Sequence, residues 1–229
     1  MVGLSVLDGA ALAFFAAAWF AYHIVVEKTP AGRRSLNMVM DVHRRVWMQN
    51  MLARDNRIMD ANINATLQNG TAFFASTSLI AIGGALTLLR STEDALNLFA
   101  ELPFGLATTR VAWDIKVLGL AVIFVYAFYK FAWAYRLFNY AAILLGAVPP
   151  LGQGGQPEME AAAARAGRMN VVAGRHFNRG QRAFFFALAY LGWFISAYVF
   201  VASTAACLVV MGRRQLASDA LDALENAHG

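Results

Sequence analysis

The chain has 229 residues, of which 59% are hydrophobic and 14% are charged, and its mean hydropathy is +0.49. Soluble domains contain about 45–50% apolar and about 25% charged residues, so this composition excludes an ordinary soluble domain. The apolar excess also excludes a disordered chain, and a single cysteine, Cys207, excludes a disulfide framework. An integral membrane protein remains, and the net charge of +5 then indicates topology rather than nucleic-acid binding.

Four stretches are long and apolar enough to cross a bilayer, which requires about 20 residues. They cover residues 4–26, 71–89, 111–133 and 183–212. The last one has no formal charge and would be about 45 Å long as a helix, so it must tilt or project beyond a hydrocarbon core of roughly 30 Å. Residues 137–148 are too few to cross, and we expect them to continue the third helix or to lie at the interface.

The predicted fold is therefore all-α, with one four-span membrane domain over residues 1–212. Cytoplasmic helical extensions cover residues 27–70 and 134–182, and a short polar tail covers 213–229. Helical spacing of apolar residues predicts one long amphipathic helix over 35–69. In the other extension, Gly174 and Gly180 are expected to interrupt the helix.

Basic residues are concentrated on two segments between the spans. Residues 27–69 carry seven Lys or Arg and residues 149–182 carry five, whereas residues 91–110 carry only Arg110 beside Glu93, Asp94 and Glu101. The positive-inside rule places both basic segments in the cytoplasm, with the N-terminus outside. Arg213 and Arg214, beside the fourth span, disagree mildly with this orientation.

The arginines near the predicted inner membrane face form an arginine belt. Its members are Arg44, Arg45, Arg54, Arg57, Arg168, Arg175, Arg179 and Arg182. All except Arg168 are candidate ligands for anions or lipid headgroups, because guanidinium groups make bidentate bonds to phosphate and carboxylate. Three interpretations stay open: topology with binding of anionic lipid headgroups, an internal network with Asp41, Asp55 and Asp60, or a basic vestibule at a pore mouth.

Few polar residues lie in or near the spans. The candidates for a polar path or for helix contacts are Asp60, Asn64, Ser76, Thr77, Ser196 and Ser203. No charge lies at a clear midplane position, which disfavours a proton-coupled pump. Gly83 and Gly84 predict a bend or a very close contact in the second span.

Motifs typical of enzymes and of cofactor sites are missing from the sequence. There is no phosphate-binding glycine loop, no paired-histidine zinc motif and no serine elbow. A metal site formed by His23, His43 and His176 is an alternative with weaker support than histidines that only pack between helices. We therefore expect no cofactor, no resident metal and no catalytic residue.

The two halves of the chain share short sequence motifs at similar spacing. Residues 20–23 (FAYH) end the first span and residues 133–136 (WAYR) end the third, and AFF recurs at 72–74 and 183–185. This recurrence predicts a duplicated helical pair related by an axis along the membrane normal. The alternative is chance reuse of Ala and Phe at the membrane boundary.

Three longer sequence segments resemble a known protein family. Residues 47–62 (WMQNMLARDNRIMDAN), 70–77 (GTAFFAST) and 178–189 (NRGQRAFFFALA) resemble the bacterial and plant membrane-protein family catalogued as domain of unknown function 599. The resemblance extends over about residues 5–212. It implies a four-span integral membrane protein and no particular reaction.

The function expected from these features is a homo-oligomeric membrane protein that forms or gates a path for small ions. A small four-span chain forms a pore most readily at an oligomer axis. The alternative is a non-catalytic accessory or scaffold subunit of a larger membrane complex, and an enzyme acting on lipid is a third, weaker alternative. The expected partners are the bilayer, anionic headgroups and other copies of the chain.

Overall fold

The computed structural model describes residues 3–100 and 109–225, and within these ranges all regular structure is helical. The predicted all-α class is confirmed. The α-helices are α1 Val6–Lys28, α2 Leu36–Asn50, α3 Ile58–Arg90, α4 Thr92–Ala100, α5 Arg110–Gly146, α6 Gln156–Tyr190, α7 Gly192–Ile195, α8 Ala197–Leu216 and α9 Asp219–Glu225. Glu101, in the predicted outer loop, and the end of the polar tail lie outside the described residues.

Four helical stretches are long and apolar enough to cross a membrane. They are α1, α3, α5 and the stretch that begins with α8. α3 and α5 contain 33 and 37 residues, well above the about 20 that a span requires, so each is long enough to extend beyond the bilayer. α5 is continuous to Gly146, so residues 137–146 continue the third helix, one of the two predicted alternatives.

The predicted single helix over residues 35–69 is wrong. α2 ends at Asn50, a 3-10 turn follows at Met51–Ala53, and α3 begins only at Ile58. Asn56 Oδ1 accepts the backbone N–H of Ile58 at 2.9 Å. Such a local side-chain bond offers the backbone an alternative to helix continuation, which periodicity alone does not reveal.

The predicted interruption of the helix at Gly174 and Gly180 is also wrong, because α6 runs through both. A Cβ atom at Gly174 would lie 2.6 Å from a guanidinium nitrogen of Arg44, and one at Gly180 would lie 2.7 Å from the ring of Phe131. Both glycines therefore allow close approach of a neighbouring side chain while the helical hydrogen bonds continue.

Gly83 and Gly84 of α3 make no close contact with a described neighbour. α3 is continuous through both, and a Cβ atom at either position would meet no described atom within 4 Å. The very close contact is therefore absent among the described residues, whereas the bend stays a prediction that no observation tests. The two glycines leave this part of α3 uncovered.

The chain divides into two compact units. The first unit comprises Met1–Leu36, Ser78–Tyr126 and Arg182–Gly229. In it α1 packs against α8, and the buried Phe15 ring lies 5.0–5.5 Å from the rings of Phe186, Tyr190 and Phe200. Tilted and edge-to-face aromatic pairs of this kind contribute about 0.5–1.5 kcal/mol each beyond the burial of their area.

The second unit comprises Asn37–Thr77 and Ala127–Gln181. Met48 and Met51 of the α2 region pack against Ala163 and Ala166 of α6, and the small alanines let the two segments approach closely. Elsewhere in this unit the fully buried ring of Phe131 stacks on Phe74 with the ring centroids 5.3 Å apart. No observation tests the predicted duplication of a helical pair, which stays a prediction.

Candidate functional site

The apolar segment 183–212, predicted as one thirty-residue span, is broken twice. α6 ends at Tyr190, the short α7 covers Gly192–Ile195, and α8 begins at Ala197. Between α7 and α8, Ser196 has an extended backbone with φ −164° and ψ 164°. Its Oγ accepts the N–H of Val199 at 3.1 Å, so Ser196 is the N-cap of α8.

The first break is held by a glycine and a serine. A Cβ atom at Gly192 would lie 2.5 Å from Ser203 Oγ, so α8 reaches its position only because residue 192 is glycine. Ser203 Oγ donates to the carbonyl oxygen of Ala189 at 2.6 Å, near the C-terminal end of α6. This bond satisfies a carbonyl at a helix end, where helical partners run out.

Lys116 of α5 is buried at the second break, with only 7% of its surface exposed. Its Nζ donates to the carbonyl oxygen of Trp193 at 2.8 Å and lies 5.5 Å from the centroid of the Trp193 indole. The carbonyl belongs to α7, where the break interrupts the helical hydrogen-bond ladder. An interrupted ladder leaves backbone groups that need other partners, and the Lys116 ammonium supplies one for the Trp193 carbonyl.

Asp8 reaches the same tryptophan from α1. Its Oδ1 accepts the indole N–H of Trp193 at 2.7 Å, and its Oδ2 accepts the N–H and the hydroxyl of Ser5 at 3.0 and 2.7 Å. Trp193 therefore contacts two charged groups. Its indole N–H donates to the Asp8 carboxylate, and its backbone carbonyl accepts from the Lys116 ammonium. A capping box between Ser5 and Asp8 fixes the carboxylate at the start of α1.

These residues surround a cavity of about 310 Å³, which we call the Lys116 cavity. Its polar lining includes Ser5, Asp8, Thr109, Lys116, Ser196 and Tyr198. A lysine ammonium has three donors, and Trp193 O is the acceptor that the described residues supply for one of them. The other two can donate to an acceptor in the cavity.

Most of the arginine belt is engaged internally. In the second unit, Asp41 accepts from Arg175 Nε at 2.8 Å and from Arg44 Nη1 at 3.3 Å. Burial lowers the pKa of the Arg44 guanidinium, and the Asp41 carboxylate acts in the opposite direction. Because the ordinary pKa of arginine lies far above neutrality, Arg44 stays charged and its bond to Asp41 is a charge-assisted one.

A second internal cluster surrounds Asp60, which is fully buried. Asp60 Oδ1 accepts from Trp47 Nε1 at 2.7 Å and from Arg54 Nη1. Arg57 donates to the carbonyl oxygens of Val148 and Pro149 at 2.5 and 2.7 Å, which ties the start of α3 to the segment after α5. Of the carboxylates expected to form an internal network, Asp41 and Asp60 do so, whereas Asp55 is exposed.

In the first unit, Arg182 is buried and donates to Glu27 at 3.1 Å, and its Nη1 lies 2.9 Å from His23 Nδ1. Its guanidinium also lies over the ring of Tyr22. Arg179 is half-buried and has an interaction partner, whereas Arg45 is exposed. Binding of anions or headgroups by the belt remains a prediction, and the internal contacts leave few arginines to perform it.

The remaining predicted polar residues have mixed surroundings. Asn64 is buried, donates to the carbonyl of Phe138 at 3.2 Å and accepts from Asn170 at 3.4 Å. Thr77 donates to the carbonyl of Phe73 on its own helix, and Ser76 is exposed. Asp60 and Asn64 are therefore engaged in helix contacts in the second unit.

Arg110 and Asp114 are four residues apart on α5, a spacing that allows two side chains to pair on one helix face. Instead Arg110 donates to Glu93 at 3.0 Å, and Asp114 accepts from the Thr92 hydroxyl at 2.9 Å. The partners differ because α4 packs beside α5 and supplies closer polar groups. Among residues 3–100 and 109–225, no group of three His, Cys, Asp or Glu side chains could hold a metal ion.

Sequence reasoning missed the Lys116 cavity, because Lys116 and Asp8 each lie near the end of a predicted span, where charges are common. The sequence of the fourth predicted span, residues 183–212, does indicate a break, because this segment is longer than a bilayer requires. It contains Gly192 and Ser196 four residues apart. A glycine followed by a helix-capping residue inside such a run predicts a broken helix.

These features define an all-α protein with four helices able to cross a membrane and a broken helix beside a buried lysine. The model of the family described as "Protein of unknown function, DUF599" matches residues 10–220. The match covers most of the chain, so the chain belongs to this family. The resemblance predicted from residues 47–62, 70–77 and 178–189 is confirmed. No curated protein and no solved structure matches the chain.

Proposed function

We propose that this protein is a non-enzymatic membrane protein that forms or gates a path for small ions, and that the Lys116 cavity is an ion site on that path. The observation that supports the proposal is the buried Lys116 ammonium at a helix break. An ionisable residue buried in an apolar helix is costly and is functional by default in membrane proteins. In many transporters, broken helices form ion and substrate sites through freed backbone groups and helix ends.

The chemistry of the cavity favours an anion. The ammonium is desolvated on the apolar side of α5, and an anion bound in the cavity would offset part of that desolvation cost. The hydroxyls of Ser5, Thr109 and Ser196 supply further polar contacts around the same space. Asp8 also lines the cavity and keeps its negative charge, but its oxygens accept from Trp193 and Ser5, whereas Lys116 keeps N–H donors for an anion.

The proposed setting is the bacterial inner membrane with the N-terminus outside. The excess of arginine on residues 27–69 and 149–182 supports this orientation. It places the start of α1, and with it Asp8, toward the outer side. The cavity is then the outer portion of the proposed path.

The test is ion flux into liposomes that contain the purified protein. We expect Lys116→Met to reduce anion flux about tenfold or more, because a charge-assisted hydrogen bond contributes about 1.5–3 kcal/mol. Lys130→Met is the matched control, since it removes one lysine from the same helix outside the cavity lining. Absence of anion and cation flux in the unmodified protein, or equal flux in both variants, would overturn the proposal.

The alternative, an accessory subunit, is favoured by one observation on α3. Only 11% of its most apolar window is buried within the chain, against 39% for α5. Such an uncovered helix suits contact with lipid, with another copy of the chain or with a different subunit. The mass of the particle extracted in mild detergent discriminates these cases: a multiple of 24.9 kDa supports self-association, and one copy among other chains supports an accessory role.

A further inference from the structure

Two arginines of the second unit differ from the rest of the belt. Arg45 of α2 and Arg168 of α6 are both exposed, and within the described residues neither has a hydrogen-bond or ion-pair partner. Both line one cleft of about 300 Å³. Other belt arginines, such as Arg54 and Arg175, are held by buried aspartates.

Helix geometry brings these two arginines to the same cleft. Arg45 and Gln49 are four residues apart on α2, and Ala164 and Arg168 are four apart on α6, so each pair shares a helix face. Between the helices, a Cβ atom at Gly167 would lie 3.7 Å from the Cα atom of Arg45. α2 and α6 therefore pack within van der Waals distance of each other at this point.

The lining of the cleft is complementary to an anion. It comprises Arg45, Gln49, Ala163, Ala164, Gly167 and Arg168, so its polar residues are two arginines and one glutamine, with no carboxylate among them. Two unpaired like charges beside one cleft repel each other, and a shared anion removes that repulsion. Planar guanidinium groups bind phosphate through two parallel hydrogen bonds.

We infer that the cleft between Arg45 and Arg168 binds a phosphate group, carried either by an anionic lipid headgroup or by a soluble phosphate. Phosphate fits better than a carboxylate because its several terminal oxygens can accept from both guanidinium groups and from the Gln49 amide at once. The inference does not depend on the Lys116 cavity, because every lining residue belongs to the second unit.

The experiment uses the full chain in mild detergent and has two arms. The first measures retention of phosphatidate, against phosphatidylcholine, by native mass spectrometry. The second measures binding of inorganic phosphate by titration calorimetry. Retention of phosphatidate alone identifies a lipid headgroup as the ligand, and binding of inorganic phosphate identifies a soluble one; either result supports the site.

The decisive comparison is between two double variants of equal charge. Arg45→Gln with Arg168→Gln should weaken binding about tenfold or more, because charge-assisted hydrogen bonds are lost. Arg33→Gln with Arg165→Gln removes the same charge from exposed positions outside the cleft and should leave binding within about twofold.

A third variant tests the cleft without changing charge. Ala164 is exposed on the lining, so Ala164→Phe should fill the cleft, preserve the fold and weaken binding as strongly as the double arginine variant. The inference is overturned by absence of binding in both arms, by equal losses in the two double variants, or by full binding in Ala164→Phe.

Discussion

Asp60 shows how a buried charge is stabilised in this protein. The carboxylate has no exposed surface, and one of its oxygens accepts from both the Trp47 indole and the Arg54 guanidinium. A buried charge of this kind is tolerated only when it is paired and hydrogen-bonded. Asp60 therefore joins the end of the α2 region to the first turn of α3.

Asp60→Asn tests this role at the scale of one residue. The amide keeps the shape but removes the charge, so the bonds from Trp47 and Arg54 weaken and the free energy of unfolding should fall by about 1–3 kcal/mol. We expect a loss in the lower half of that range, because the Arg54 side chain is one third exposed and water can hydrate its guanidinium group in the variant.

The measurement is the thermal unfolding midpoint of the full chain in detergent. Asp55→Asn is the control, because Asp55 is exposed and lies five residues away in the sequence. We expect its midpoint to match that of the unmodified protein. Equal midpoints for the Asp60 and Asp55 variants would show that the buried pair does not stabilise the second unit.

At the scale of a helix, glycine has two different roles in this chain. Gly180 lies in α6 where the ring of Phe131 leaves no room for a Cβ atom. Phe131 is itself fully buried and stacked on Phe74, so it cannot move aside easily. Gly70 lies in α3 of the same unit, and a Cβ atom there would meet no described atom within 4 Å.

Alanine substitutions separate these two roles. Gly180→Ala should destabilise the protein by about 1–3 kcal/mol through overpacking, despite the better helix propensity of alanine. Gly70→Ala should stabilise it by about 0.5–1 kcal/mol, because only the propensity changes. Thermal unfolding in detergent measures both effects, and a stabilised Gly180→Ala variant would contradict the packing assigned to Phe131.

At the scale of the whole molecule, the apolar helices and the arginine distribution together predict an orientation. The chain has one cysteine, Cys207, so a Cys207→Ala background allows single reporter cysteines. Ser91 lies between α3 and α4 on the proposed outer side, and Asp55 lies between α2 and α3 on the proposed inner side. Both are exposed.

In spheroplasts, a membrane-impermeant maleimide should label Ser91→Cys directly and Asp55→Cys only after lysis. The physical reason is that arginine-rich segments are retained on the cytoplasmic side during insertion. The unmodified Cys207→Ala background is the control for non-specific labelling. The reverse pattern would place the basic segments outside and would reverse the proposed path.

The sequence by itself determined that the chain is an all-α membrane protein. It also determined that four apolar stretches are long enough to cross a bilayer. These properties follow from composition and from local hydropathy, which a stretch of about 20 residues carries on its own. The family resemblance likewise follows from contiguous sequence segments such as residues 47–62.

Tertiary structure alone decided which charged groups find partners. Asp41 pairs with Arg175 across 134 positions of sequence, and Lys116 reaches Trp193 across 77, so no local pattern predicts either contact. Gly192 and Ser196 indicate a helix break in the sequence, but only the packing of α8 brings Ser203 against Gly192. Local propensity sets where helices form, whereas close packing between distant segments decides which arginines are buried and which, like Arg45 and Arg168, stay exposed.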